Sequence, residues 1–453
     1  MTESPAGGAP PPAKRRAPRR WVRDAVAAAV LVTVAEILIL VSPGPPPERF
    51  EEFCVRDFTI RGPAHITASC DAAAYLMLAN RPGRMLRPEW PWGQNRPLYA
   101  GAGWVLAIPF RALGFDSLPA RLFGDRVRPG SDEARYLGYG AEYAGFLLFN
   151  WLLLVASVLL LRRVLAARTI FDTPMILPVA LLLVNQVTRG FFWTPHLQIL
   201  NVFAPILSVQ LLLWMQQRLP AMTWRDVSLI GLALGVASLM YGIFAMTVSA
   251  ASLGLIFGDG GNAMRTRPRA TLSSVALLMG SFFVPVVAWS TFAGALAGSY
   301  TSPETAAYRE FVWVADSFAR GANVFLTDLV HHLDRYLSTV PGIVAFPTVT
   351  LAALSMTFYA LGAARIPVAR EKMLGRAILL CVVADVVFYA LMGYYALRLT
   401  WSIVPLLAIL IGMEIGSLER ALAGRARSAL RLVTVVVALC YAAFSYASPY
   451  NNR

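Results

Sequence analysis

Apolar runs of about 18 residues or more recur along the whole chain, and each is long enough to cross ~30 Å of hydrocarbon. Lipid offers backbone N–H and C=O groups no partner, so such runs fold as helices that satisfy their own hydrogen bonds. The pattern predicts an all-α, polytopic membrane protein with eleven spans, near 25–41, 143–161, 174–188, 197–215, 227–242, 244–257, 271–293, 341–363, 376–394, 401–416 and 431–447. With 57% hydrophobic and 15% charged residues, a soluble domain is excluded.

The net charge of +14 would point to nucleic acid in a soluble protein. Here the arginines lie between apolar runs, where they set orientation instead. Residues 1–24 are Pro/Ala/Gly-rich and then basic (Lys14, Arg15, Arg16, Arg19, Arg20, Arg23), which predicts a disordered cytoplasmic tail before a single transmembrane domain over 25–453. Val41-Ser42-Pro43 is a poor signal-peptide cleavage site, so the first span is expected to be retained. With the N-terminus inside, the inward connections carry Arg162/Arg163/Arg168, Arg218/Arg225, Arg265/Arg267/Arg269, Arg365/Arg370/Lys372/Arg376 and Arg420/Arg425/Arg427/Arg431. The short outward turns carry only Arg189 and Arg398. The same assignment leaves two large outward regions, 43–142 and 295–340, and makes 98–115 a helix lying in or re-entering the outer interface.

The polar interval from Cys70 to Tyr99 dominates the first outward region. Asp71 heads a short helical run with Tyr75 one turn on; it reads equally as a helix cap and as a base orienting an acceptor hydroxyl. Arg96, pinned by Pro97 at a helix entry, and Arg398, in its short turn, suit a lipid phosphate through the planar guanidinium fork. Headgroup snorkelling is the plainer reading of both. His196 follows Pro195 at the head of a span, and all four histidines fall in outward segments or at outer ends. His331 and His332 are adjacent and point to different helix faces, which argues against a metal pair. Glu36 and Asp385 lie within apolar spans, where a carboxylate needs a partner or a proton. Cys381 and Cys440 read as packing residues, whereas Cys54 and Cys70 share one outward loop in which a disulfide is permitted. No GxxxxGKS loop, no GxGxxG after a strand and no HExxH occurs.

Asp71-x-x-x-Tyr75 followed by Arg96-Pro97-Leu98-Tyr99, Leu113-Gly114-Phe115 and the late Arg398-Leu399-Thr400 with Pro405 resembles the GT-C membrane glycosyltransferases. That class includes the protein O-mannosyltransferases and the lipid A aminoarabinose transferases. The resemblance covers roughly residues 20–215 and 376–416, and its motifs are short. Two departures stand out. Ala72 occupies the place of the family's second acid, and Trp193-Thr194-Pro195-His196 replaces its second-loop acid. The resemblance implies an inverting transfer of a sugar from a polyprenyl-phosphate carrier to a glycan, lipid or protein acceptor on the outer face of a bacterial inner membrane. Asp71 is then the catalytic residue, Arg96 and Arg398 hold the donor phosphate, and Tyr75, Trp90, Trp92 and His196 contact substrate. No cofactor is implied, and a divalent metal is left open without support. The alternatives are a transporter or flippase of a lipid-linked saccharide working through Glu36 and Asp385, and a scaffold subunit of an envelope assembly.

Overall fold

A computed structural model describes residues 17–44, 55–61, 64–88, 94–118, 121, 138–258, 261–298, 300, 309–361, 369–394 and 397–447. The chain is a predominantly helical, multi-pass membrane protein. Among the described residues six helices are long and apolar enough to cross a bilayer: Gly140–Val164, Leu197–Arg218, Pro268–Ala297, Ala322–Ala360, Ala369–Met392 and Gly424–Ala447.

The first helix, α1 (Ala17–Ile39), starts inside the segment expected to be a disordered tail. Its apolar run is interrupted by Arg23, Asp24 and Glu36, and it is not one of the six. Asp24 is buried and bonds Arg162 near the far end of α4 (Gly140–Val164), so this part of the tail is structured for a reason.

The region 43–142, expected to face outward, is not wholly helical. An antiparallel hairpin, β1 (Val55–Arg61) and β2 (Ala64–Ser69), pairs Val55 with Ser69 and Phe58 with Ile66. It leads directly into α2 (Ala72–Asn80) and, further on, α3 (Pro97–Ala112), whose proline at the first position presets the helical φ. Sixteen residues of α3 extend only about 24 Å. Gly103 and Gly145 let α3 and α4 touch backbone to backbone: a Cβ on Gly103 would lie 2.3 Å from the Phe146 ring, and one on Gly145 2.8 Å from the Ala107 nitrogen. Such small-residue contacts are how helices gain dispersion energy inside lipid. The opposite face of α3 shows Trp104, Val105 and Ile108 outward.

The apolar run 174–188 is two helices, not one: α5 (Thr173–Leu183) and α6 (Gln186–Phe191). Asn185 makes the break. Its amide nitrogen donates to the carbonyls of Leu181 (3.0 Å) and Leu182 (2.6 Å), ending α5, while its oxygen caps α6 by accepting from the Thr188 N–H at 2.8 Å. After α7 (Leu200–Arg218) come two short helices, α8 (Trp224–Ser238) and α9 (Phe244–Phe257). A reciprocal capping box between Thr223 and Asp226 opens α8, and the Thr223 N–H holds the Asp226 carboxyl below the usual carboxylate range.

A short α10 (Asn262–Thr266) precedes α11 (Pro268–Ala297), and α12 (Val312–Arg320) precedes the 39-residue α13 (Ala322–Ala360). The expected outward region 295–340 and the expected span 341–363 thus share one helix of about 58 Å that runs through Pro341 and Pro347. The chain ends with α14 (Ala369–Met392), the single turn α15 (Leu397–Thr400), α16 (Ile403–Ala421) and α17 (Gly424–Ala447). The main core lies between α4, α5, α7, α9, α14 and α16, with Leu154, Leu182, Ile206, Val209, Cys381 and Ile409 fully buried.

Candidate functional site

The segment between α6 and α7 is pinned from three sides. Asn150 of α4, fully buried, donates its amide to the carbonyls of Phe191, Phe192 and Thr194 at 3.3, 2.9 and 3.2 Å. Tyr143 of the same helix donates to the Trp193 carbonyl at 2.6 Å, and the Trp193 indole donates to the Glu36 carbonyl of α1 at 2.9 Å. The hairpin is tied to the same segment: the Ser69 N–H donates to Thr194 Oγ1 at 2.8 Å. Two residues past each of these tied positions lie Asp71 and His196, and so they meet.

His196 Nε2 is 3.4 Å from Asp71 Oδ2. The imidazole is buried against the Phe191 ring (centroids 4.7 Å apart), and its Nδ1 accepts from the Gln198 N–H at 3.3 Å. With Nδ1 acting as acceptor, the neutral ring carries its proton on Nε2, the nitrogen that faces the carboxylate. Asp71 stands at the N-cap position of α2, yet its side chain makes no capping bond. The side chain is 41% exposed and faces a cavity.

That cavity, about 360 Å³, is closed by parts of the chain distant in sequence. Asp71, Arg96 and His196 lie on one wall, Tyr241 from the α8–α9 connection and Tyr300 after α11 on others, and Glu310, Tyr389, Tyr394 and Leu399 complete it. Arg96 is aimed by two aromatic groups. Its Nη1 donates to Tyr75 Oη at 2.6 Å, and its guanidinium lies 5.6 Å from the centre of the Tyr241 ring. Tyr75 is itself buried, edge-on to Tyr99 with centroids 4.9 Å apart. Tyr75, expected among the substrate contacts, is thus bonded to Arg96 and is not among the residues that line the cavity.

Behind α2 a second ionic cluster fixes the wall. Glu142, fully buried at the start of α4, accepts from Arg111 of α3 at 2.5 Å and from Asn80 of α2 at 2.9 Å. Arg111 also donates to the Ala79 carbonyl at 3.3 Å. One carboxylate thereby locks three helices around the Asp71 end of the cavity.

The floor is organised by Asp385, buried within α14. Its Oδ2 accepts from Tyr336 Oη at 2.8 Å and its Oδ1 from Ser402 Oγ at 2.6 Å, while Tyr389 Oη donates to the Leu399 carbonyl at 2.7 Å. These bonds seat α15, the turn that carries Arg398. Only the backbone of Arg398 is described; Trp90, Trp92 and Cys54 lie outside the described residues. Cys70 is disulfide-bonded, and Cys381 and Cys440 are free.

Glu36 and Arg189 are buried away from this cavity, with Arg189 donating to Ser42 Oγ at 2.6 Å and its guanidinium 5.4 Å from the centre of the Tyr446 ring. His332 packs against Trp313, ring centres 4.3 Å apart and planes tilted by 38°, and lies 5.8 Å, ring centre to ring centre, from His331. No group of three or more metal-ligating side chains occurs among the described residues. Sequence reasoning missed Tyr241, Glu310 and Tyr389, which sit at or near helix ends without any local motif.

No family model, curated protein or solved structure matches the chain.

Proposed function

We propose that the chain is an inverting glycosyltransferase that moves a sugar from a polyprenyl-phosphate carrier to an acceptor hydroxyl. The observation that carries this reading is the Asp71 carboxylate: it leaves its helix cap unmade, faces His196 at 3.4 Å and shares a cavity with Arg96. A group placed only to cap would bond the helix.

The acceptor oxygen attacks the anomeric carbon as its proton passes to Asp71. The new C–O bond forms while the bond to the carrier phosphate breaks, and the phosphate leaves with the electron pair. His196, its Nε2 3.4 Å from Oδ2, flanks and orients the carboxylate; Arg96, and with it Arg398, stabilises charge growing on the leaving phosphate. A carrier already anionic and anchored in lipid requires cations at the bilayer surface and no nucleotide site.

The orientation belongs to the same proposal. The N-terminus is inside an inner membrane and the cavity opens outward. With the six long helices, α1, α5–α6, α8, α9 and α16 make eleven crossings, and α3 lies at the outer interface. The competing transporter reading draws on Asp385 and Glu36. Both Asp385 oxygens are occupied by hydroxyl donors, which suits a structural strut.

Purified wild-type protein in detergent separates the two, because no gradient exists there. Turnover of a polyprenyl-phosphate sugar to free polyprenyl phosphate and glycosylated acceptor supports transfer. No turnover across a panel of donors and acceptors, together with gradient-driven lipid movement in vesicles, contradicts it.

A further inference from the structure

The end of the bundle opposite Asp71 holds a larger cavity, about 660 Å³. The separation follows from the helices that reach both places. α4 begins beside the Trp193 carbonyl and ends at the cavity wall, and α14 begins at that wall and ends at Met392 in the Asp71 cavity. With 25 and 24 residues these helices extend about 36 Å.

Five arginines from three separate parts of the chain converge on this cavity: Arg168 before α5, Arg370 at the head of α14, Arg420 near the end of α16, and Arg427 and Arg431 on α17. Its three acids are already bonded within the protein. Asp172 accepts the Arg168 and Thr169 N–H groups at 2.6 and 3.2 Å, Glu419 accepts from Thr173 Oγ1 at 2.8 Å, and Glu371 accepts from Ser417 Oγ at 2.8 Å and pairs with Arg420. Two arginines close helix ends: Arg370 donates to the carbonyls of Arg163 and Val164, and Arg427 to those of Glu419 and Leu422. The side chains of Arg168 and Arg431 make no hydrogen bond or ion pair among the described residues, and both stand exposed at the rim.

Basic loops on one side of a membrane protein need only set its orientation. Loops that do only that have no reason to gather five arginines around one concavity and leave the Arg168 and Arg431 side chains over when its three acids are already bonded. We propose that this cavity binds a phosphate-bearing anion, with Arg168 and Arg431 presenting guanidinium forks to its oxygens. The chemistry is shared by an anionic lipid headgroup of the adjacent leaflet and by a soluble phosphate. The inference does not depend on the transfer reaction.

The test uses the full-length protein in phosphatidylcholine nanodiscs and reads its thermal midpoint. One arm adds phosphatidylglycerol to the bilayer, and the other titrates inorganic pyrophosphate at constant ionic strength. Either ligand is expected to raise the midpoint saturably, by about 2–4 °C. A rise with phosphatidylglycerol alone identifies a lipid source, and a rise with pyrophosphate a soluble one. The rise should be lost in Arg168→Gln/Arg431→Gln and kept in Arg265→Gln/Arg269→Gln, whose exposed arginines lie outside the cavity. Folding of each variant is checked by its midpoint in phosphatidylcholine alone. No rise with either ligand, or an equal response of the two double variants, would overturn the proposal.

Discussion

Asp71 Oδ2 lies 3.4 Å from His196 Nε2, although 125 residues separate them in the chain and different structures deliver each. The β2 strand brings Asp71, and the Asn150 and Tyr143 bonds to residues 191–194 bring His196. In the proposed mechanism the histidine acts through the carboxylate, so its loss should lower kcat more than it raises KM. His196→Ala is expected to lose about 10–100-fold in kcat, the scale of one hydrogen bond to a charged group. His196→Gln, which can return an N–H near the Nε2 position, should recover most of that loss. A steady-state comparison of the three proteins decides it; equal kcat in all three would remove His196 from the site.

Arg96 depends on Tyr75 for its direction. Tyr75→Phe keeps the buried ring against Tyr99 and removes only the acceptor oxygen. The expected result is a rise in KM for the polyprenyl-phosphate donor of about 10-fold, the lower end of the scale for a hydrogen bond made by a charged group, with little change in thermal midpoint. Arg96→Lys should weaken the donor more, because a point charge cannot reproduce the guanidinium fork. A Tyr75→Phe protein with an unchanged donor KM would show that the bond does not matter to binding.

Asp385 is expected to act on stability and on the seating of α15, not on proton coupling. Asp385→Ala leaves the hydroxyls of Tyr336 and Ser402 without their acceptor inside the bundle. The cost should be about 1–3 kcal/mol in detergent unfolding experiments. Asp385→Asn, which keeps one acceptor oxygen, should fall between. If either variant unfolds like wild type yet abolishes a gradient-dependent lipid movement in vesicles, the transporter reading gains and this one fails.

Much of this arrangement was legible in the sequence because lipid makes hydropathy a strong signal. Residues near the connections that the arginine count assigns to one side lie together at one end of the bundle: Asp71, Arg96, His196, Tyr241, Tyr300, Glu310, Tyr394 and Leu399 all line the Asp71 cavity. What stayed hidden were polar interruptions within apolar runs and structure without apolar periodicity. Asn185 splits 174–188 by bonding the carbonyls of Leu181 and Leu182, a role no hydropathy window detects. Pro341 and Pro347 look like boundaries in sequence yet sit inside α13. The hairpin 55–69 has too little alternation in VRDFTIR and AHITAS to announce itself. Tyr75 sits one turn from Asp71 and so read as a substrate contact; its buried face and its bond to Arg96 appear only in three dimensions.

The disulfide at Cys70 holds the residue immediately before Asp71. Alkylation of the denatured, unreduced protein should label only Cys381 and Cys440, and reduction should add two further labels, read by intact mass. Cys70→Ser should destabilise the protein by about 2–4 kcal/mol. Four labels without reductant would contradict the bond.

The most direct test of the central claim is Asp71→Asn in purified protein, followed by release of free polyprenyl phosphate from a polyprenyl-phosphate sugar. Asparagine keeps the size of the side chain and could cap α2 as well as aspartate does, but it cannot take the acceptor's proton. The account predicts a loss of about 10²–10⁴-fold in kcat with the thermal midpoint unchanged. A variant that keeps more than about a tenth of wild-type kcat would contradict it, since proton transfer to a positioned base supplies more than that.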